Sequence, residues 1–198
     1  NGMVIDLEHL YIEGNKLRDA GIEISPKNLK ISDRACITMP YHVRFDILEE
    51  ERLADKKYGS TRRGIAPVYG DKYKKKAIRT GDLFYPETLK EHLKDLVEYN
   101  NLLVTGVYHA EPIKYEEMLE WLEKYGGFFK DYIVDTGVYL TEQLEKGKRI
   151  MFEAQLGALR DIDFGIYPYT SSSSTIASYG PIGAGIPGVK LDRTIGIM

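Results

Sequence analysis

The sequence predicts an α/β fold. Three features predict it: patterns typical of helices alternate with short apolar runs in the first part of the chain, several amphipathic helical patterns follow, and a glycine- and serine-rich segment comes after them. The chain has 198 residues, of which 43% are hydrophobic and 29% charged. This length and composition are typical of a globular protein with one substantial core.

The individual elements follow from the spacing of apolar residues and from the positions of glycine and proline. Leu7, Leu10 and Leu17 recur at helical spacing before Gly21, which predicts a first helix over 6–20. Prolines mark the starts of two later helical patterns, as is common in the first turn of a helix. The other predicted elements are short strands over 29–32 and 35–39, helices over 41–57, 86–106, 112–125 and 136–146, and a buried strand over 149–155.

A basic segment spans residues 58–81. It carries seven basic residues and one acid, a net charge of +6 in a chain whose total is −3. Glycine, serine and threonine at its start supply hydrogen-bond donors and the cations supply a positive field, so we interpret it as a phosphate-binding loop. Two alternatives are a solvated helix face and an RNA-binding surface. The sequence pI of about 5.9 disfavours nucleic acid, because nucleic-acid-binding domains are usually basic overall.

The Gly/Ser segment, residues 157–188, contains six glycines, three prolines and four consecutive serines. A flexible linker is one interpretation of that composition. However, the segment also carries too many large apolar side chains for a solvated linker. We therefore predict that 149–198 forms a strand followed by an ordered, Gly/Ser-rich ligand loop. The apolar side chains in question are Ile162, Phe164, Ile166, Tyr167, Tyr169, Ile176, Tyr179 and Ile182.

Histidine and cysteine give no sign of a metal site or a nucleophilic triad. The four histidines lie scattered through helical stretches, and the chain has a single cysteine, Cys36, which cannot form an internal disulfide. We interpret His42, which lies near Asp46 in the sequence, as a packed structural histidine. No long apolar run and no signal-peptide pattern is present, which predicts a cytoplasmic protein that does not span a membrane.

Two acids in the Gly/Ser segment, Asp161 and Asp163, alternate with Ile162. In an extended chain both would face the same side, as in a paired-carboxylate site. An equally simple alternative is that one acid stabilises a turn and the other forms an ion pair. The chain has no Gly-x-x-x-x-Gly-Lys-Ser/Thr motif. The residues alone therefore indicate an α/β domain that binds a small anion, with no visible catalytic base.

Two motifs in this order resemble the adenylosuccinate synthetase family. The first is Gly-Ser-Thr-Arg-Arg-Gly-Ile-Ala-Pro-Val-Tyr-Gly-Asp-Lys over 59–72, and the second is Asp-Ile-Asp-Phe-Gly-Ile-Tyr-Pro-Tyr over 161–169, followed by Ser-Ser-Ser. Phe152-Glu153 and the residues at the two ends of the chain, 1–6 and 193–198, also resemble that family. The resemblance implies a P-loop-NTPase-like synthetase fold, with a central, mainly parallel sheet and a helical subdomain over 86–146. It also implies that the chain is the central part, 1–198, of one synthetase domain that is incomplete at both ends.

The resemblance implies a GTP-dependent ligase that joins IMP and L-aspartate to give adenylosuccinate in purine biosynthesis. Carried over by position, Thr61 corresponds to a threonine that binds the 5′-phosphate of IMP, with Ser60 beside it. Lys75 stands where the family has an arginine that reaches into the partner subunit's IMP site, which implies a homodimer. Ser171 corresponds to a further residue that contacts the phosphate.

One position departs from the family pattern. Residues 153–157 read Glu-Ala-Gln-Leu-Gly, so that Leu156 replaces the glutamine that holds the purine and Gln155 stands one place earlier. The family's catalytic aspartate and histidine, its magnesium ligands and its GTP site have no counterpart in this chain. We therefore expect no catalytic or metal-binding residue here, with Mg²⁺ held elsewhere in the parent enzyme, and no activity of the chain alone. A non-catalytic nucleotide-binding or dimerisation module is the alternative.

Overall fold

A computed structural model describes residues 2–154 and 156–197. Helices dominate it, and the strands are only two residues long. The strands are β1 (Val4–Ile5), β2 (Ile31–Ser32), β3 (Cys36–Ile37) and β4 (Ile133–Val134). The helices are α1 (Leu7–Asp19), α2 (Pro40–Leu53), α3 (Ile65–Lys74), α4 (Pro86–Gly106), α5 (Tyr115–Trp121), α6 (Gly127–Phe129), α7 (Thr136–Glu145) and α8 (Tyr179–Ala184).

The strands form two parallel pairs. In the first pair β1 lies beside β3, with Val4 opposite Cys36. In the second pair β2 lies beside β4, with Ile31 opposite Ile133. Parallel neighbours joined through helices are the mark of an α/β fold, so the predicted fold class is confirmed.

The longest helix, α4, has the bounds that the sequence predicts, 86–106. Pro86 opens it, and its buried residues recur every three or four positions, which aligns them on one face. The predicted helix over 112–125 begins instead at Tyr115 and continues through a π-helical turn, Leu122–Gly126, into α6. Its buried face consists of Met118, Leu122, Tyr125 and Phe129.

One apolar core joins these helices to the strands. Leu7 of α1, Ile37 of β3 and Leu93 of α4 are fully buried in the same cluster. The helices over 86–134 therefore pack on the same core as the N-terminal strands and do not enclose a separate one.

The structure also differs from the sequence prediction in the basic segment and after α7. Ten of the 24 residues of the basic segment form α3, which spans Ile65–Lys74, and loops flank it on both sides. The predicted strand over 149–155 does not form in residues 149–154, where Met151 is 88% exposed. A strand needs a neighbour to satisfy its backbone, and none of the described residues pairs with this stretch.

Within the described ranges, no helix combines the length and the apolar character that are needed to cross a lipid bilayer.

Candidate functional site

Helix α2 presents a buried polar face to the basic segment. His42, Asp46 and Glu50 are four residues apart and lie on one side of the helix, and each is at most 5% exposed. An adjacent side of the helix carries Tyr41 and Phe45, which enter the apolar core. The polar face is therefore the surface of α2 against which the basic segment packs.

Asp46 binds both ends of the phosphate loop, which we define as residues 60–64. Its Oδ1 accepts a hydrogen bond from Ser60 Oγ at 2.5 Å, and its Oδ2 accepts one from Gly64 N at 2.9 Å. Gly64 has a positive φ of 75°, and a Cβ at this position would lie 2.8 Å from the backbone of His42 and Val43. Only glycine allows the loop to approach α2 this closely.

His42 links α2 to α3. Its Nδ1 accepts the backbone N–H of Met39 at 3.0 Å, so the proton is on Nε2, which lies 3.1 Å from Asp71 Oδ2 and donates to it. Burial lowers the pKa of His42, and the bond to Asp71 opposes that shift. The neutral, fully buried ring confirms the interpretation of His42 as a packed structural histidine.

Thr61 and the two arginines of the phosphate loop face solvent, whereas the Ser60 hydroxyl points inward. Arg62 and Gly64 both have positive φ values, 57° and 75°. The N–H groups of these two residues are used within the protein, since Arg62 N donates to Ser60 Oγ and Gly64 N donates to Asp46 Oδ2, so the groups left open to an anion include the exposed side chains of residues 61–63. The N-terminus of α3 follows at Ile65 and adds its free N–H groups to the same region.

Lys75 lies at the opposite end of α3. It caps the helix with a φ of 62°, and its side chain is exposed. The ten helical residues between Gly64 and Lys75 span about 15 Å. Within one chain, Lys75 is therefore far from the phosphate loop.

The Gly/Ser segment is organised around Asp161, which is fully buried. Its carboxylate accepts four backbone N–H bonds, from Asp163, Phe164, Thr175 and Ile176, at 2.7 to 3.3 Å. Burial raises the pKa of Asp161, but the four bonds outweigh it and lower the pKa below its ordinary value. Of the two interpretations of the acid pair, the structure supports a turn-stabilising Asp161, whereas Asp163 is exposed.

The apolar side chains of this segment do not order it, contrary to expectation. Phe164 is 73% exposed and Tyr167 78% exposed. Successive tight turns between Gly157 and Tyr169 point these side chains outward while the backbone closes around Asp161. The segment is ordered, as the sequence predicts, but by polar contacts.

The structure brings the basic segment and the Gly/Ser segment together at two points. Tyr58 and Tyr169 form an edge-to-face ring pair with centroids 6.4 Å apart. Tyr69 of α3 donates its hydroxyl proton to Gly2 O at 2.8 Å, and a hydrogen bond with Ser173 opposes the rise in the pKa of Tyr69; Ser173 Oγ lies 3.0 Å from Ser171 Oγ. Burial raises the pKa of Tyr69 to about 12, so this hydroxyl stays protonated.

The profile of the adenylosuccinate synthetase family matches residues 1–198. The chain belongs to this family. The adenylosuccinate synthetase of Listeria welshimeri is 43% identical over 197 residues, which is 100% of this chain and 45% of that protein. That of Ligilactobacillus salivarius is 40% identical and covers 99% and 45% of the two chains. This chain therefore spans less than half the length of these curated relatives.

A solved structure of fully ligated adenylosuccinate synthetase from Plasmodium falciparum superposes with a TM-score of 0.83 at 30% sequence identity. The match covers 93% of this chain and 42% of the other. The adenylosuccinate synthetase fold that the motifs imply is thereby confirmed.

This chain departs from the adenylosuccinate synthetase pattern at Leu156, which is far from the phosphate loop in the sequence. Leu156 is 55% exposed and has a positive φ of 77°, which is strained for a residue other than glycine. Gln155 lies outside the described residues. The contact to the purine base therefore stays a prediction for either residue.

No group of three or more His, Cys, Asp and Glu side chains in the described part of the chain is arranged to hold a metal ion. The Mg²⁺ that the adenylosuccinate synthetase family implies does not fit these residues.

Sequence reasoning missed Asp46, Glu50 and Asp71 as parts of the site. The only signal was the spacing of His42, Asp46 and Glu50, which places three polar side chains on one face of α2. Such a face is normally solvated, and only the packing of α3 against it shows that it is buried.

Proposed function

We propose that this chain is the central part of a cytoplasmic, GTP-dependent ligase that joins IMP and L-aspartate, giving adenylosuccinate, GDP and phosphate in the synthesis of AMP. In this proposal, the chain's own contribution is the site for the 5′-phosphate of IMP. The observation that supports it is the contact between the basic segment and the Gly/Ser segment, in which the ring centroids of Tyr58 and Tyr169, close in sequence to Ser60 and Ser171, lie 6.4 Å apart.

The phosphate site is assigned to side chains of both segments. Thr61 is exposed on the phosphate loop, and the positive helix end at Ile65 follows it. Ser171 supplies a second hydroxyl from the Gly/Ser segment. Donors and cations that are fixed before the ligand arrives bind a phosphate without the cost of reorganisation.

Lys75 is assigned to the phosphate site of a partner subunit in a homodimer. The distance of about 15 Å along α3 supports this assignment, because the side chain cannot serve the loop at the other end of its own helix. Lysine keeps the positive charge but gives up the bidentate geometry of the family's arginine.

Chemistry in the parent enzyme begins with phosphorylation of the 6-oxygen of IMP, which converts a poor leaving group into a good one. Aspartate then displaces the phosphate. Magnesium would support the phosphoryl transfer of the parent enzyme, and this chain's residues serve only to bind and orient IMP. The chain alone is expected to show no turnover of IMP, GTP and aspartate, which a coupled assay free of host enzyme can check.

Calorimetric titration with IMP tests the phosphate site. The folded chain should bind IMP more tightly than inosine, which lacks the phosphate. Thr61→Ala and Lys75→Ala should each weaken IMP binding about 10-fold, since each removes a contact to a charged group. Lys74→Ala is the matched control, because it removes the same charge from the adjacent exposed position and should change binding little.

Two results would contradict the proposal. One is the absence of IMP binding by a chain whose circular dichroism shows it folded. The other is equal affinity for IMP and inosine, which would mean that the phosphate is not recognised.

A further inference from the structure

Asp46 contacts no exposed part of the phosphate loop, yet it holds both of its ends. We propose that Asp46 is a positioning residue, whose carboxylate fixes the loop in the shape that binds the IMP phosphate. This inference rests on the function proposed above and adds a residue that neither the motif nor the family resemblance assigned.

The geometry makes Asp46 a bridge across the loop. One oxygen takes the Ser60 hydroxyl and the other takes the Gly64 N–H, while Thr61 lies between these two anchors. A single carboxylate thus determines the separation of the loop's ends. A change in that separation moves Thr61 and the neighbouring backbone N–H groups together.

Burial makes the bridge obligatory. Asp46 is 5% exposed, so its oxygens have little water to bind and depend on the loop for hydrogen bonds. The dependence is mutual, because Gly64 is buried and its N–H would lose its acceptor if Asp46 were removed. The loop and the carboxylate therefore order one another.

Ser60 acts through Asp46. Its hydroxyl donates to the carboxylate and accepts the Arg62 N–H at 3.1 Å, so its one proton is used inside the protein. In this inference Ser60 helps to position the loop, and its contact with IMP stays a prediction.

Two further contacts join α2 to residues before and after the phosphate loop, and neither contact involves residues 60–64. Glu50 Oε1 accepts the Tyr58 N–H at 3.2 Å ahead of the loop, and His42 binds Asp71 beyond it. Neither contact involves an atom of Asp46. Removal of Asp46 is therefore expected to release residues 60–64 while α2 and α3 remain packed.

The test compares IMP affinity in four variants of the 198-residue chain. Asp46→Ala should weaken IMP binding at least about 10-fold and reduce the preference for IMP over inosine by the same factor. Asp46→Asn should recover part of the loss, because the amide oxygen can still accept the Gly64 N–H. Ser60→Ala should lose less than Asp46→Ala. Glu51→Ala, which removes an exposed carboxylate from the same helix, is the control and should bind as the wild type does.

Hydrogen exchange at the Gly64 amide gives a second readout that does not depend on IMP. It should accelerate about 10-fold or more in Asp46→Ala and should be partly restored in Asp46→Asn. Unchanged exchange at Gly64 would overturn the proposal, as would wild-type preference for IMP over inosine in Asp46→Ala. If the wild-type chain does not bind IMP at all, the proposed function fails, and the exchange of Gly64 still decides whether Asp46 holds the loop.

Discussion

In the apolar core, Leu93 of α4 is fully buried among other hydrocarbon side chains, whereas the basic and Gly/Ser segments each close around a buried carboxylate. Asp46 binds the phosphate loop with two hydrogen bonds, and Asp161 binds the Gly/Ser segment with four. Apolar burial is non-directional and tolerates small shifts, but a carboxylate holds particular backbone groups in one geometry. The core thus sets the stability of the fold, and the two carboxylates set the shape of the candidate site.

The largest effect is expected in the core. Leu93→Ala should lower the free energy of unfolding by about 2–5 kcal/mol, because it removes transfer energy and leaves a cavity. Leu102→Ala is the matched control on the same helix, where the side chain is 68% exposed, and it should change stability by less than about 0.5 kcal/mol. Urea denaturation measures both. Equal effects would mean that α4 does not face the core as described.

A smaller effect is expected where the phosphate loop touches α2. Gly64→Ala introduces a Cβ 2.8 Å from the α2 backbone and should cost about 1–3 kcal/mol for overpacking, in addition to backbone strain. Gly59→Ala is the control, because Gly59 has a similar φ of 76° but nothing within 4 Å of its Cβ. The difference between the two variants in thermal or urea unfolding isolates the contact with α2. Equal losses of unfolding free energy in Gly64→Ala and Gly59→Ala would contradict the close approach of Gly64 to α2.

The smallest effect is a pH dependence that originates at His42. Because burial lowers the pKa of His42 in the folded chain, the unfolded chain binds this proton more readily. The contribution of His42 to stability is therefore complete above the unfolded pKa of about 6.5 and is lost as the pH falls toward the folded pKa. One group changes stability by at most about 1.4 kcal/mol per pH unit.

Unfolding free energies between pH 7 and pH 5.5 test this dependence. His42→Gln should be less stable at pH 7 but should show a shallower decline than the wild type. A slope that survives in His42→Gln would assign the pH dependence to another group.

Elements that depend on a local pattern could be predicted from the sequence. The bounds of α4 and α7 agree with the prediction to within one residue, because apolar periodicity, Pro86 and the N-cap Asp135 act over neighbouring residues. Two motifs were enough to indicate the family, since the chemistry of a nucleotide site constrains short runs of residues.

Hydrogen bonds between polar groups that are distant in the sequence could not be predicted from it. Asp46 and Gly64 are 18 residues apart, and Asp161 and Thr175 are 14 apart, so no local pattern reports these hydrogen bonds. The strand expected over 149–155 does not form in the described residues 149–154 for the same reason, because an isolated apolar run becomes a strand only when a neighbour satisfies its backbone. The residues proposed for the phosphate site can thus be recognised in the sequence, but the carboxylate proposed to position them was found only from the packing of α2 against the basic segment.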